Sequence, residues 1–305
     1  MTDDKTASSA QGYLDDPRNA SVLLYVNGEF VPRDCAVVSV FDAGFALGDG
    51  VWEGLRLIQG KLICLEEHLD RLYEGANAIR IDIGHSRDEM KQLLAATLEK
   101  NGMHDGAHIR LMVTRGRKST VNQDPRFCIG KATVVIVAEY KQPSPAVKER
   151  GLSLWTSTFR CSAPDVFDLR LNSHSRLNLI QALIQAIDAG ADEALMLDPH
   201  GFVASCNSTN FFVVRRGALW TSTGRFSFKG ITRGNVVGIA RDNGMAVAEK
   251  DFTLAETYAA DEAFVTGTLG GVTPVTRIDG RPIGNGTPGE CTRRISGWYS
   301  DSVMA

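Results

Sequence analysis

Apolar and polar positions alternate along this chain in a way that predicts many strands, broken by amphipathic helices. VLLYVNGEFVPR, starting at Val22, gives strand, Asn27-Gly28 turn and strand, which is a hairpin. AVVSV, residues 36–40, is apolar and β-branched and predicts a short strand. FDAGFALGDGVWEGLRLIQGKLI follows, punctuated at Gly44, Gly48, Gly50 and Gly54. That spacing is not GxGxxG after a strand, so these glycines predict a tight strand–helix approach rather than a phosphate loop. Residues 65–79 place Leu65, Leu69 and Leu72 on one helical face, and 87–100 form a second helix. HIRLMVT (108–114) and ATVVIVAE (132–139) read as strands.

YKQPSP, residues 140–145, carries two prolines and no periodicity, and predicts a linker. The expected organisation is a flexible arm over 1–20, a smaller α/β domain over 21–140, a linker at 141–146 and a larger domain over 147–305. In the larger domain, 152–156 is a strand and 178–189 a helix with Leu179, Leu183 and Ile187 along one face. Strands follow at 194–197, 211–214 and 218–221, around Val247 and at Phe264, with a turn at 199–202. The fold class is α/β, with α+β layers, and no internal repeat or low-complexity tract is present.

Composition narrows the function. With 305 residues the chain is long enough for two domains, and 43% hydrophobic with 23% charged residues describes a globular protein. A formal net charge of −3 and the lack of a basic run argue against a nucleic-acid surface. No apolar run approaches a membrane span, and the acidic start MTDDKTASSAQGYLDD is unlike a signal peptide. Six scattered cysteines without a CxxC pair suggest reduced thiols, no metal framework and a cytoplasmic protein.

Two stretches carry candidate chemistry. In FKGITRGNV a glycine precedes Ile231 and Thr232, and Arg233 opens a helical run to Ala240. The first amides of a helix lack internal partners and the helix dipole adds partial positive charge, so this is the layout of an anion site. The Thr232 hydroxyl could cap the helix or bond a phosphate oxygen; an ordinary capped helix fits the same residues. In FVTGTLGGVTPV, a strand is followed by Thr266, Gly267 and Thr268 in a turn.

GITR followed some thirty residues later by TGT resembles the fold-type IV pyridoxal-phosphate enzymes. That family includes branched-chain aminotransferases, D-amino-acid aminotransferases and aminodeoxychorismate lyases. The resemblance runs from about Val22 to Trp298 and implies a two-domain, pyridoxal 5'-phosphate-dependent aminotransferase-like protein. It would exchange an amino group between an amino acid and a 2-oxo acid, as a homodimer, with the branched-chain group the most similar. The alternatives are a cofactor-binding protein without transaminase activity and a lyase of the aminodeoxychorismate type.

Residue by residue, the resemblance puts Arg71, Ile231, Thr232 and Thr268 at the cofactor phosphate. It puts Trp52, Arg110 and Leu269 at the substrate. From the residues alone, Trp52 equally fits core packing and Arg71 fits a surface pair with Glu67. The basic loop 115–128, with Arg115, Arg117, Lys118 and Arg126, fits an acidic substrate or plain solvated charges.

Two departures stand out. The family's lysine, which holds the cofactor covalently and carries a proton, precedes a patterned asparagine by three residues. Counting back from Asn178 gives Ser175, with Arg176 beside it. Ser has no amine, and Arg keeps its proton at neutral pH. In the stretch GFVASCNSTNFF, Ser205 stands where the family has a glutamate against the pyridine nitrogen, with Asn207 and Thr209 in the same loop. A hydroxyl bonds that nitrogen without favouring its protonation as a carboxylate does. Lys229, directly before Gly230, is the nearest alternative amine, and His174 an alternative base.

Overall fold

A computed structural model describes residues 9–304. The first eight residues of the expected arm lie outside the described residues. The chain divides into two compact units. The N-terminal unit comprises residues 15–142 and 171–176; the C-terminal unit comprises, of the described residues, 9–14, 143–170 and 177–304.

The N-terminal unit begins with the expected hairpin, β1 (Leu23–Val26) and β2 (Glu29–Pro32), turning through Asn27 and Gly28, both at positive φ. AVVSV does not become a strand: residues 36–40 are irregular, with Val37 75% and Val40 65% exposed. Among the described residues no strand pairs with them, and β-propensity without a partner makes no strand. Next come α1 (Ala43–Leu47), β3 (Gly50–Ile58), β4 (Lys61–Leu62), α2 (Leu65–Ala78), α3 (Arg87–Lys100), β5 (Ala107–Thr114) and β6 (Thr133–Tyr140). They form one antiparallel six-stranded sheet in the order β2-β1-β6-β5-β3-β4.

Helix α3 starts with a capping box between Ser86 and Glu89. The core lies between one sheet face and α2 and α3. It joins Val51, Leu55, Ile109, Leu111 and Ile136 to Leu69, Leu72, Met90 and Leu94. Residues 171–176 run along the edge of β3: Ser173 bridges Val51, and the Trp52 and His174 amides donate to Asn172 O and Gly50 O.

The C-terminal unit holds α4 (Pro145–Arg150), β7 (Leu152–Thr156), α5 (Pro164–Phe167), α6 (Leu177–Asp188), β8 (Glu193–Leu197), β9 (Val203–Cys206), β10 (Asn210–Arg215) and β11 (Ala218–Thr221). After these come α7 (Ile231–Asp242), β12 (Val247–Glu249), α8 (Leu254–Tyr258), β13 (Glu262–Gly267), β14 (Gly271–Ile278), β15 (Arg281–Pro282) and α9 (Glu290–Met304). The mixed sheet runs β12-β11-β10-β13-β14-β7-β8-β9, with β15 on β14.

Helices α7 and α9 pack on one stretch of it through Val236, Val237, Ala240 and Ile295 against Phe212 and Phe264. Helix α6 packs on another through Ala182 and Ala186 against Ala194 and Met196. The expected apolar face of α6 is therefore shifted. Alanines let the helix sit close to the sheet, Leu179 flanks them, and Ile187 is 59% exposed. At the start of the unit Ala10 is buried, and its amide donates to the Glu193 carboxylate at 3.0 Å. Among the described residues all six cysteines are free thiols, and no helix is long and apolar enough to cross a membrane.

Candidate active site

In the N-terminal unit the chemistry gathers at the start of β3. Successive strand residues face opposite sides, so Glu53 shares the helix-facing side with Val51 and Leu55, while Trp52 faces the other side. Glu53 is completely buried. From α2, Arg71 donates to both its carboxylate oxygens (2.8 and 2.7 Å), and the His68 Nδ1 lies 2.7 Å away. The surface pair with Glu67 is thus replaced by a forked pair with Glu53. Burial alone would raise the Glu53 pKa; the bonds from Arg71 and then His68 outweigh it and hold the carboxyl below its ordinary range.

On the opposite side, Gly54 pairs with Arg110 across β3 and β5. A Cβ on Gly54 would press on the His108 ring at 3.2 Å and meet Trp52 at 3.6 Å. With no side chain there, the Arg110 guanidinium lies 3.7 Å from the Trp52 ring centroid, a cation–π contact. Arg176 lies over the same ring at 5.1 Å, and its Nη2 donates to Asn172 Oδ1. Asn172 in turn donates to the Trp52 carbonyl at 2.5 Å and, at 3.4 Å, to Glu53. The Trp52 indole N–H donates to Ser173 O.

Trp52 is therefore a half-buried platform for two guanidiniums rather than core filler. Burial, then the charges of Arg110 and Arg71, lowers the Arg176 pKa to about 10. Burial also lowers Arg110, against the pull of Glu53. His108 is pushed to about 3 by burial and by Arg110, so its ring is neutral.

Ser175 is exposed, and its hydroxyl donates to Gly48 O at 3.1 Å. The His174 Nε2 is buried without a hydrogen-bond partner among the described residues, and burial lowers its pKa. In the basic loop Arg115 forks onto Asp49, outside the loop, Arg126 forks onto Asp124, and the buried Lys118 amine donates to Asp124 O.

In the C-terminal unit the two singled-out stretches come together through Asn210. That residue stands opposite Thr266 in the β10–β13 ladder. Its side-chain amide donates to Phe228 O at 2.6 Å and reaches Ser205 Oγ at 3.4 Å. Its Oδ1 would lie 2.3 Å from a Cβ on Gly230, so the residue just before α7 has to be glycine for this approach. Helix α7 has no side-chain cap; its first internal bond runs from the Gly234 amide to Gly230 O, leaving the Ile231, Thr232 and Arg233 amides without carbonyls inside the helix.

Thr232 is buried, and Arg233 is a structural anchor bonded to Ser222 O and Glu249. The buried Thr266 hydroxyl has no partner among the described residues. Gly267 faces Thr209, Thr268 opens the β13–β14 turn, and Leu269 in that turn is buried. Ser205 spends its proton on Thr209 O at 2.8 Å, and Asn207 Oδ1 accepts from the Ala194 amide. Lys229 is exposed. Ser205, expected in a loop with Asn207 and Thr209, lies instead on β9, which a short turn joins to β10.

The sequence profile of amino-transferase class IV matches residues 50–278. This chain belongs to that family. The class IV aminotransferase chain is 42% identical to the putative branched-chain-amino-acid aminotransferase of Methanocaldococcus jannaschii, over 91% of this chain and 95% of that protein. It is 41% identical to the branched-chain-amino-acid aminotransferase-like protein 2 of Arabidopsis thaliana, over 93% of this chain but 50% of that protein. The chain thus spans about half the length of the Arabidopsis relatives it matches.

Among solved structures it superposes on the branched-chain aminotransferase of the thermophilic archaeon Thermoproteus uzoniensis with norvaline. The TM-score is 0.83 at 30% identity, covering 93% of this chain and 95% of that one. A further branched-chain amino acid aminotransferase, solved with pyridoxamine 5'-phosphate, superposes with a TM-score of 0.87 at 32% identity, covering 93% of this chain and 94% of that one.

Glu53, Asn172 and Asn210 escaped the sequence reading. Glu53 left a signal: a charge on the strand face shared by Val51, Leu55 and Leu57 has to be a buried, paired charge. The two asparagines left none, because the bonds that fix them reach Trp52 O and Phe228 O, brought near only by the fold.

Proposed function

We propose that this class IV chain is a pyridoxal 5'-phosphate-dependent aminotransferase that moves an amino group between an amino acid and a 2-oxo acid, in the manner of the branched-chain group. The observation that carries the reading is the cup at Gly230. Helix-start amides without carbonyls inside the helix, and a buried Thr266 hydroxyl with no partner among the described residues, are the kind of donors a phosphate group takes. We assign Ile231, Thr232 and Thr268 to that phosphate. Ser205 is assigned to the ring nitrogen; with its proton given to Thr209 O, its oxygen accepts from that nitrogen's protonated, N–H form.

The cofactor, when bound, supplies the electron sink; the chain's own groups bind, orient and exclude water. Arg71 remains the anion-facing arginine that the resemblance implies, fixed in direction by Glu53. Arg110 and Arg176, held on Trp52, attract the substrate carboxylate, and Leu269 contributes apolar lining. With a pKa of about 10, Arg176 is deprotonated in about one molecule per thousand at pH 7, so it binds rather than carries protons. Homodimer formation and a cytoplasmic location belong to the same proposal.

A second reading, a cofactor-binding protein without transaminase activity, is favoured by Ser175 and Arg176 standing where a lysine is expected. Borohydride reduction of the protein loaded with pyridoxal 5'-phosphate, followed by peptide mapping, separates the two. Conversion of bound cofactor to pyridoxamine 5'-phosphate by an amino-acid panel, with or without a labelled lysine, establishes the enzyme. No conversion with any donor leaves the binding protein, and no uptake of cofactor sinks both.

A further inference from the structure

Residues 9–14 belong to the C-terminal unit although the main part of the N-terminal unit follows them in sequence. They are bonded within and without. The Gly12 amide donates to Ser9 O at 2.8 Å and the Gln11 amide to Ser9 Oγ at 3.1 Å, which makes a tight turn. Gly12 O accepts from the Ser144 amide, and Tyr13 bridges Pro143. Ala10 and Gly12 are buried. A merely trailing terminus would be neither buried nor bonded in this way.

These residues lie against the turn between β13 and β14. A Cβ on Gly270 would meet Ala10 O at 2.8 Å and the Thr273 hydroxyl at 2.9 Å, and one on Gly267 would meet Gln11 Nε2 at 3.5 Å. Gly270 is not among the glycines at positive φ, so its own backbone does not demand glycine; the close approach of Ala10 O does. A second path leads back to the same turn. The Ala10 amide donates to Glu193 Oε1 at 3.0 Å, and Thr209 Oγ1 donates to Glu193 Oε2 at 2.7 Å. The Thr209 methyl would lie 3.4 Å from a Cβ on Gly267. Ala10, Glu193, Thr209, Gly267 and Gly270 thus form a closed ring of contacts.

We infer that residues 9–12 are a strap that holds the 266–271 turn in its phosphate-binding shape, with Ala10 as the positioning residue. The inference rests on the assignment of Thr268 to the cofactor phosphate. Without the strap the turn regains backbone freedom, and a phosphate group has to remove that freedom again on binding. The test uses the full chain with two substitutions outside the residues assigned to the cofactor. Ala10→Pro removes the N–H that Glu193 accepts. Gly270→Ala pushes on Ala10 O from the side of the turn.

Affinities are measured for pyridoxal 5'-phosphate and for pyridoxal, which lacks the phosphate. Each variant should bind the phosphorylated form about tenfold more weakly, the scale of one backbone residue set free, and bind pyridoxal as wild type does. The double variant should lose little more than either single one, because both break the same contact. Unchanged affinities, equal losses for the two ligands, or losses that add would each overturn the inference. Hydrogen exchange without ligand keeps it apart from the cofactor reading. The amides of 266–271 should exchange faster in Ala10→Pro than in wild type, and unchanged exchange would overturn the strap whatever the protein binds. Faster exchange in a protein whose wild type takes up neither ligand would sink the cofactor reading and leave the strap's hold on the turn in place.

Discussion

Glu53 and Glu193 are both fully buried, yet they are held in opposite states. Burial raises the pKa of each. At Glu53 the fork from Arg71 and the ring of His68 reverse that, and the carboxylate is kept ionised. At Glu193 the partners are the Thr209 hydroxyl (2.7 Å) and the Ala10 amide (3.0 Å). They fall short of the desolvation cost, and its pKa rises to about 7. The two units thus handle anionic groups by different physics. The N-terminal unit gathers formal charges, with Arg71, Arg110 and Arg176 near one carboxylate. The C-terminal unit offers dipoles, the amides of α7 and hydroxyls such as Thr266. Dipoles lose less when a ligand leaves, because no uncompensated charge remains behind.

The contrast breaks most visibly at Glu53. Glu53→Gln keeps the shape and removes the charge, leaving the Arg71 guanidinium facing a neutral amide in a buried setting. Losing one partner of a buried pair costs about 3–5 kcal/mol, and the urea midpoint should fall accordingly. A change below about 1 kcal/mol would show that Arg71 finds water or another anion instead.

Glu193 gives the next effect, with a definite sign. Its folded pKa of about 7 lies above the ordinary value of 4.5. The stabilisation of the protonated form is complete below the unfolded value and is lost as pH rises through about 7. That loss amounts to roughly 3 kcal/mol between pH 5 and pH 8. The wild-type melting temperature should fall over that range, and Glu193→Gln should remove this contribution. An equal slope in both proteins would place the titration elsewhere.

What was legible in the sequence followed local order. The Asn27-Gly28 hairpin, α2, α3 and β5 through β7 rest on periodicity and turn chemistry within a few residues. The GITR start of α7 and the turn after Thr266 could be singled out because glycine and threonine at a strand or helix end are unusual in themselves. Their meeting through Asn210 was not legible, since that contact joins residues paired only by the fold. AVVSV misled because its apolar residues had no ladder to join. Ile187 misled because the face of α6 that packs is the one with alanines, and apolarity on both sides hides the phase of the helix.

The smallest effect, and the one that sharpens the contrast most, is at Arg176. Its guanidinium is crowded by Arg110 and Arg71, whose charges add to burial in lowering its pKa. Arg176→Met removes that repulsion but leaves Asn172 Oδ1 without the Nη2 donor. One lost hydrogen bond is worth about 1 kcal/mol, and the relief of like charge is of the same order, so stability should change by less than about 1 kcal/mol. Carboxylate binding has no such offset. A charge-assisted bond contributes about 1.5–3 kcal/mol, so the Kd for a 2-oxo acid, read by calorimetry, should rise about tenfold or more. Arg176→Lys separates charge from shape: a compact ammonium keeps the charge but not the planar fork that stacks on Trp52. Intermediate affinity in that variant would assign the site to charge and geometry together. Affinity equal to wild type would reduce Arg176 to a point charge. A loss of stability well beyond about 1 kcal/mol in Arg176→Met would mean that the arginine is a strut of the N-terminal unit rather than its anion-binding charge.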